Sequence, residues 1–247
     1  MSLIGMLLLL DIALLFYLSL VAPGTWLGMF RKKPNLGIRI WVATVLLTLL
    51  SLFSSIGLAL FVVLDTYDYL TRGSVGDSSI VTVIGVSVLP WVLVAGIGIW
   101  ISLMTMKFEP LLIEARALSD KFMSIGRQSR RFQDIPVILV PLEPRLAFAK
   151  KLGGEKYIFI TRGTMDALTE GQLDAVLWHE YTHLKKHHLE IKSLAQRLLV
   201  AAPWSWLATC FNHEINLLAE LSADKEATKR AGAKALSEAK DVLGSYC

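Results

Sequence analysis

The chain has 247 residues with a formal net charge of +4, and 54% of its residues are hydrophobic. Its mean hydropathy of +0.53 is higher than that of ordinary soluble proteins, so the composition indicates a membrane protein. The basic residues lie mainly in loops beside apolar segments, and no basic patch with interleaved aromatic residues indicates nucleic-acid binding.

Three apolar segments, at about 3–21, 40–64 and 80–106, are long enough to cross a bilayer. They predict a region of three transmembrane helices at 1–106, followed by a domain of mixed composition at 107–247. The loop after the first segment is rich in Arg and Lys, whereas the loop after the second is mostly acidic. By the positive-inside rule the N-terminus is expected outside the cell and the domain in the cytoplasm.

Asp11 is an ionisable residue within the first apolar segment. A carboxyl group in hydrocarbon is costly and often functional, but Asp11 is near enough to the N-terminus to reach the outer membrane interface instead. Both interpretations are open from the sequence.

The domain is predicted to begin with an amphipathic helix at about 107–132, because its apolar residues recur at helical spacing. Segments rich in β-branched and aromatic residues follow at 135–140 and 155–163, each bounded by Pro or Gly. They predict two strands, with a further strand and turn between them.

A helix is predicted at about 170–188, because a capping-box pattern precedes helically spaced apolar residues. On it His179 and His183 are one turn apart, so both imidazoles can reach one metal ion. Bound zinc would acidify its water and polarise a scissile carbonyl, while the adjacent Glu180 would take the proton and pass it to the leaving amine. The alternative is a polar helix whose histidines lie in water.

A catalytic zinc usually has a third protein ligand, and the best candidate is Glu220. Asp224 follows it by one helical turn, so Glu220 could bind zinc while Asp224 supports a ligand imidazole. The alternative is that both are solvated charges. His187 and His213 are rival ligands, because the first continues the stripe of the two histidines and the second shares a helix face with Glu220.

The apolar run at about 194–211 cannot simply cross the membrane if Glu220 shares a metal with the two histidines, because the ligands would then lie on opposite sides. We predict a re-entrant or interfacial helical hairpin that is broken near Pro203. Trp204 and Trp206 suit a membrane interface, although tryptophans are also ordinary core residues.

Two segments, "LWHEYTHLKKHH" and "AELSADKEA", resemble the gluzincin membrane metallopeptidases. The likeness is to two groups, namely the cytoplasmic zinc domains of the β-lactam sensor/transducers and the related HtpX and CAAX-prenyl endoproteases. The stretches "LAFAKK" and "KYIFITRGTMDALTEGQLDAVLWHE" are also similar to the region before their zinc helix. The resemblance implies one zinc at His179, His183 and Glu220, with Glu180 as general base and Asp224 in support.

The resemblance also implies that "YIFIT" (157–161) is an edge strand onto which an extended substrate could be added. These families commonly carry an acid where this sequence has His188, so the role of that acid is open here. The side chain that stabilises the oxyanion is open as well, with Arg197, His213 and Tyr181 as candidates.

The sequence therefore predicts an α-helical membrane protein with an α+β gluzincin-like zinc peptidase domain at the cytoplasmic face of a bacterial plasma membrane. The predicted function is hydrolysis of a cytoplasmic or membrane-proximal protein or peptide, in regulatory or quality-control proteolysis. The predicted partners are this substrate and the lipid bilayer, with a homo-oligomer or a membrane partner left open. The alternative is a non-catalytic membrane scaffold or sensor subunit, against which the intact Glu180 argues.

Overall fold

The computed structural model describes residues 3–72 and 121–244, together with five isolated positions between them. The described part is mostly helical, with a small mixed sheet and two candidate membrane helices near the N-terminus. Apart from those isolated positions, the predicted transmembrane segment at 80–106 lies outside the described residues. The predicted helix at 107–132 is described only from residue 121 onwards.

Two N-terminal helical segments are long and apolar enough to cross a membrane, at Met6–Trp26 and Pro34–Phe61. They comprise helix α1 (Leu3–Phe16), a π-helical turn (Tyr17–Val21), helix α2 (Ala22–Trp26) and the first part of helix α3 (Pro34–Arg72). Many of their large apolar side chains are exposed, as a lipid-facing surface requires.

Asp11 joins these two helical segments through hydrogen bonds. The Ser51 hydroxyl donates to Asp11 Oδ1 at 2.7 Å, and the Ser55 hydroxyl donates to Oδ2 at 2.9 Å. Both serines lie on α3, one turn apart, so each can donate to a different oxygen of the same carboxylate. The structure thus gives Asp11 an interhelical contact, which neither sequence interpretation included.

The domain contains a four-stranded sheet in the order β1-β2-β4-β3. The strands are β1 (Arg127–Phe132), β2 (Ile135–Val140), β3 (Ala147–Leu152) and β4 (Glu155–Thr161). β2 and β4 are parallel, whereas the other neighbours are antiparallel. A two-residue turn joins β3 to β4, and its residues Gly153 and Gly154 both have positive φ, which favours glycine at these positions.

The prediction of a helix as far as residue 132 is wrong, because residues 127–132 form β1 and the helical structure ends at residue 125. Backbone pairing with β2 outweighs the helical spacing of the apolar residues. Gly126 permits the close approach at this junction, since a Cβ there would lie only 2.4 Å from Ile138 Cγ2.

The prediction that "YIFIT" is an edge strand is also wrong. This segment is part of β4, which pairs with β2 on one side and with β3 on the other. Among the described residues, β3 is the edge strand at that side of the sheet. The apolar pattern predicted the strands themselves, but it contains no information on their order.

Five further helices follow the sheet. They are α4 (Arg162–Ala167), α5 (Glu170–Lys185), α6 (His188–Ala201), α7 (Trp206–Ala231) and α8 (Ala233–Leu243). At the start of α5 the Thr169 backbone N–H donates to Gln172 Oε1 at 2.9 Å, as the capping-box pattern predicts. The helix ends three residues earlier than predicted, because His187 has left-handed backbone geometry with φ 58°.

Two of the hydrophobic clusters hold the helices of the domain in place. The first lies between one face of the sheet and helices α5 and α8. The second joins the candidate membrane helix α3 to α6 and α7, and its large buried side chains include Trp41, Phe211, Ile215 and Leu218. The domain therefore shares a core with the N-terminal helices.

Helix α7 runs antiparallel to α3. Three contacts fix this direction, namely Ser222 Oγ with Asn35 Oδ1 at 2.6 Å, Leu218 beside Gly37, and the rings of Phe211 and Trp41 with centroids 6.4 Å apart. The α6–α7 hairpin turns at residues 202–205, so its tip points along α3 and away from the basic loop that precedes α3.

Candidate metal centre

Helices α5 and α7 bring three possible metal ligands together, and their donor atoms all lie within 4.8 Å of one another. The Nε2 atoms of His179 and His183 are 3.1 Å apart. One oxygen of Glu220 lies 3.2 Å from His179 Nε2, and the other lies 3.6 Å from His183 Nε2. Both histidines are buried, while Glu220 is partly open to solvent.

This donor set fits zinc. Tetrahedral zinc with bonds of about 2.0–2.1 Å to nitrogen and oxygen separates its ligand atoms by about 3.3–3.4 Å. The two imidazole nitrogens, 3.1 Å apart, are close to this separation, and each of them lies near a different oxygen of Glu220. The lone pairs of two imidazoles and a carboxylate are also the donors that catalytic zinc sites use. Glu220 lies beside the two histidines, and its role as the third ligand stays a prediction.

Asp224 lies on the other side of the His179 ring from the donor cluster. Its Oδ1 is 2.9 Å from His179 Nδ1, the ring nitrogen that faces away from the other donors. Lys240 on α8 in turn lies 2.6 Å from the same oxygen of Asp224. A chain of polar contacts thus runs from the donor cluster to the C-terminal helix.

Helix α6 adds two contacts that the sequence analysis missed. His188 Nδ1 lies 3.2 Å from His183 Nδ1, and Lys192 forms a short ion pair with Glu220 Oε1. The two residues are four positions apart and therefore share a helix face. Their spacing after α5, the helix that carries the HExxH motif at 179–183, was the available signal, but only the sharp turn at His187 shows that this helix face returns to the site.

Glu180 is 6% exposed and lies against the edge strand β3, where the backbone N–H of Ala149 faces its carboxyl group. The Thr161 N–H donates to the carbonyl of Leu146, just before β3. In an antiparallel pair every second residue makes such backbone hydrogen bonds, so Phe148 and Lys150 bond to β4. Ala147, Ala149 and Lys151 therefore direct their backbone groups toward the free edge. The candidate base therefore lies beside a strand edge that pairs with no other strand among the described residues.

The electrostatic environment differs strongly among the site residues. Burial alone would lower the pKa of His179, but the Asp224 and Glu220 carboxylates outweigh it and raise the pKa to about 9. Burial would raise the pKa of Glu220, yet His179, His183 and Lys192 bring it far below its usual value. Burial raises the pKa of Glu180, because its neighbours compensate only in part.

His188 differs from the ligand histidines in its charge state. Burial lowers its pKa to about 3, and the neighbouring His183, Lys186 and Lys192 act in the same direction. Its imidazole is therefore neutral at physiological pH, where the commoner acid at this position would be charged.

The other candidates from the sequence lie elsewhere. The side chain of His187 is exposed and contacts Glu190. His213 is exposed, and Arg197 binds Ser193 on its own helix. Tyr181 packs against aromatic side chains. Within the described part of the chain, none of these four forms a hydrogen bond or ion pair with the donor cluster.

The sequence profile of peptidase family M48 matches residues 127–238, a little under half of the chain. This segment belongs to peptidase family M48. Of the two groups that the motifs resemble, the match therefore supports the HtpX and CAAX-prenyl endoprotease type. The segment contains the whole sheet, the HExxH helix and both acids on α7, and the M48 assignment supports a metallopeptidase with a protein or peptide substrate. No curated protein and no solved structure gives a significant match to the chain.

The candidate metal centre is expected to bind one zinc ion in the detergent-purified protein. His183→Ala and Glu220→Ala each remove one of three converging donors, so both variants should lose most of the zinc. Elemental analysis of wild type and variants measures this, with the exposed His213→Ala as the matched control. Retention of zinc by Glu220→Ala would show that the third ligand is another residue.

Zinc binding is also expected to release close to one proton at pH 7.5. His179 has a pKa of about 9 in the metal-free protein, so at pH 7.5 it carries a proton that zinc must displace. Apparent zinc affinity should therefore rise about tenfold per pH unit below pH 9. Calorimetry in buffers of different ionisation enthalpy counts the protons, and Asp224→Asn should reduce their number. Zinc uptake without proton release at pH 7.5 would contradict the assignment.

Proposed function

We propose that this M48 protein is a membrane-bound zinc endopeptidase of the gluzincin type, with His179, His183 and Glu220 as ligands and Glu180 as general base. The observation that carries the proposal is the convergence of the three donors beside a buried glutamate that also faces a strand edge. The alternative from the sequence, a polar helix whose histidines lie in water, does not account for the burial of His179 and His183 or for Glu220 beside them on a second helix.

The residues of the site have separate roles in this proposal. Zinc bound there would supply Lewis acidity, which activates water near neutral pH and polarises a carbonyl. Glu180 accepts the proton of the attacking water at its carboxylate and donates it to the leaving amine. Its raised pKa suits this exchange, because a base of higher pKa holds the proton more firmly until the amine takes it.

The free edge of β3 is the proposed binding site for the substrate backbone. Ala147 and Lys151 direct backbone donors and acceptors outward on either side of Ala149, whose N–H faces Glu180. An extended peptide that adds to this edge would lie next to the base, with its affinity from main-chain hydrogen bonds. Such binding favours unfolded or locally extended segments over folded domains.

We further propose that the α6–α7 hairpin enters the cytoplasmic leaflet of the membrane. Arg39 is the last charged residue before the apolar part of α3, and Trp206 lies about five residues beyond the level of Trp41. At about 1.5 Å per residue, the hairpin tip would be about 10 Å deep in hydrocarbon. Trp204 at the tip is 74% exposed, which suits lipid contact better than contact with water.

This arrangement supports a multi-pass protein of a bacterial plasma membrane with its N-terminus outside and its site at the cytoplasmic surface. The basic loop at 27–33 would lie at that surface, beside the start of α3. Membrane-proximal or partly extracted polypeptides are then the proposed substrates, which fits either regulatory or quality-control proteolysis. A non-catalytic scaffold would also account for the fold, but it would not explain a buried glutamate beside the donor cluster.

Cleavage of a reduced, unfolded protein is expected from the zinc-loaded wild type and should stop when a zinc chelator is added. Glu180→Gln should keep the zinc but lose at least about 100-fold in rate, because it removes the base while retaining the shape. Glu226→Gln, which changes an acid away from the site, is the matched control. Equal cleavage by Glu180→Gln and wild type would contradict the mechanism, and zinc-loaded wild type without any cleavage would favour the scaffold alternative.

A spin label at residue 204 tests the depth of the hairpin. In lipid vesicles, a label on Trp204→Cys should be accessible to oxygen and shielded from a water-soluble nickel complex, as expected for hydrocarbon. Lys234→Cys, on an exposed position of α8, should show the opposite pattern. Equal nickel accessibility at both positions would show that the hairpin lies in water.

A further inference from the structure

His188 is a buried histidine next to the metal centre with no role in the proposed hydrolysis. It is 1% exposed and begins helix α6. The left-handed conformation of His187 reverses the chain after α5, so His188 packs back against His183 with the two rings at a centroid distance of 5.1 Å.

The orientation of His183 determines which of its nitrogens is free. Its Nε2 faces His179 Nε2 and Glu220, so this nitrogen is the proposed zinc ligand. A neutral imidazole that binds metal through Nε2 carries its proton on Nδ1. That Nδ1 lies 3.2 Å from Nδ1 of His188.

Two facing ring nitrogens form a hydrogen bond only if one carries a proton and the other a lone pair. Since His183 Nδ1 supplies the proton, His188 Nδ1 must supply the lone pair, and the ring proton of His188 must be on Nε2. A doubly protonated His188 would instead place two N–H groups against each other. The contact therefore requires a neutral His188.

We infer that His188 is a positioning residue, which accepts the Nδ1–H hydrogen bond of His183 and thereby fixes the tautomer and ring orientation of this zinc ligand. The inference rests on the proposed zinc site. The two ligand histidines then have unlike supports, because His179 faces the carboxylate of Asp224 whereas His183 faces an uncharged ring.

The neutral acceptor also limits the negative charge around the metal. Glu180, Glu220 and Asp224 already supply three carboxylates, and Lys192 and Lys240 contact two of them. A carboxylate in place of His188 would add a buried charge to this set. The imidazole of His188 orients His183 without adding that charge. Its own Nε2 has no hydrogen-bond partner among the described residues.

The inference is tested by the zinc dissociation constant, measured in competition with a fluorescent chelator. His188→Asn retains an acceptor at the position of Nδ1 and should bind zinc within a few-fold of wild type. His188→Phe fills the space without an acceptor and should bind about 10- to 100-fold more weakly, the usual loss when the partner of a metal ligand is removed. His213→Phe is the matched control on an exposed histidine.

Two outcomes would overturn the inference while leaving the proposed function intact. Wild-type affinity in His188→Phe would show that the hydrogen bond is unimportant, and equal losses in His188→Asn and His188→Phe would show that His188 acts through packing. If His188→Phe does not fold, His188→Gln replaces it, because its amide reaches the position of Nε2 and should not restore affinity. Failure of the proposed function would appear instead as a wild type that binds no zinc.

Discussion

The donor atoms of the candidate metal centre come from helices α5 and α7, with helix α6 between them in the chain, and this constraint shapes the domain. Helix α5 supplies two imidazoles and α7 supplies a carboxylate, so the chain between them must leave the site and return to it. The chain leaves the site along α6 and returns to it along the first half of α7. Because α6 must start beside the end of α5, its first turn passes close to the ligands, and this is where His188 and Lys192 make their contacts.

The three carboxylates of the site differ in their partners, and the difference separates their properties. Glu220 has Lys192 and Asp224 has Lys240, and the pKa of each acid is lowered despite its burial. Glu180 has no lysine contact in the described part of the chain, and burial raises its pKa. The environment thus lowers the pKa of two acids and raises the pKa of the third, which is the separation that the proposed role of Glu180 as base requires.

The sequence predicts those parts of this arrangement that depend on residues close together in the chain. The one-turn spacing of His179 and His183 fixes a shared helix face before any tertiary contact exists, and the same holds for Glu220 and Asp224. The strand at 135–140 is equally local, because its apolar run is continuous and bounded.

The features that the sequence does not predict depend on partners distant in the chain. The basic segment 127–132 becomes a strand only because β2 offers a pairing edge, and the order of the strands has no local signal. A left-handed His187 ends α5, although the histidine stripe continues through it in the sequence. Lys192 and Lys240 resemble ordinary surface lysines until the fold brings acids beside them.

The contact between α7 and the start of α3 has a consequence for how separable the peptidase segment is. Asn35 Oδ1 accepts from Ser222 Oγ on α7 at 2.6 Å and from Lys186 Nζ, directly after α5, at 3.3 Å, so one residue of the N-terminal region contacts both stretches that carry the proposed ligands. Trp41 completes the apolar core around Phe211. The segment that matches the family therefore depends on the N-terminal helices: a chain cut before the sheet would expose the apolar face of α7, the helix that carries Glu220.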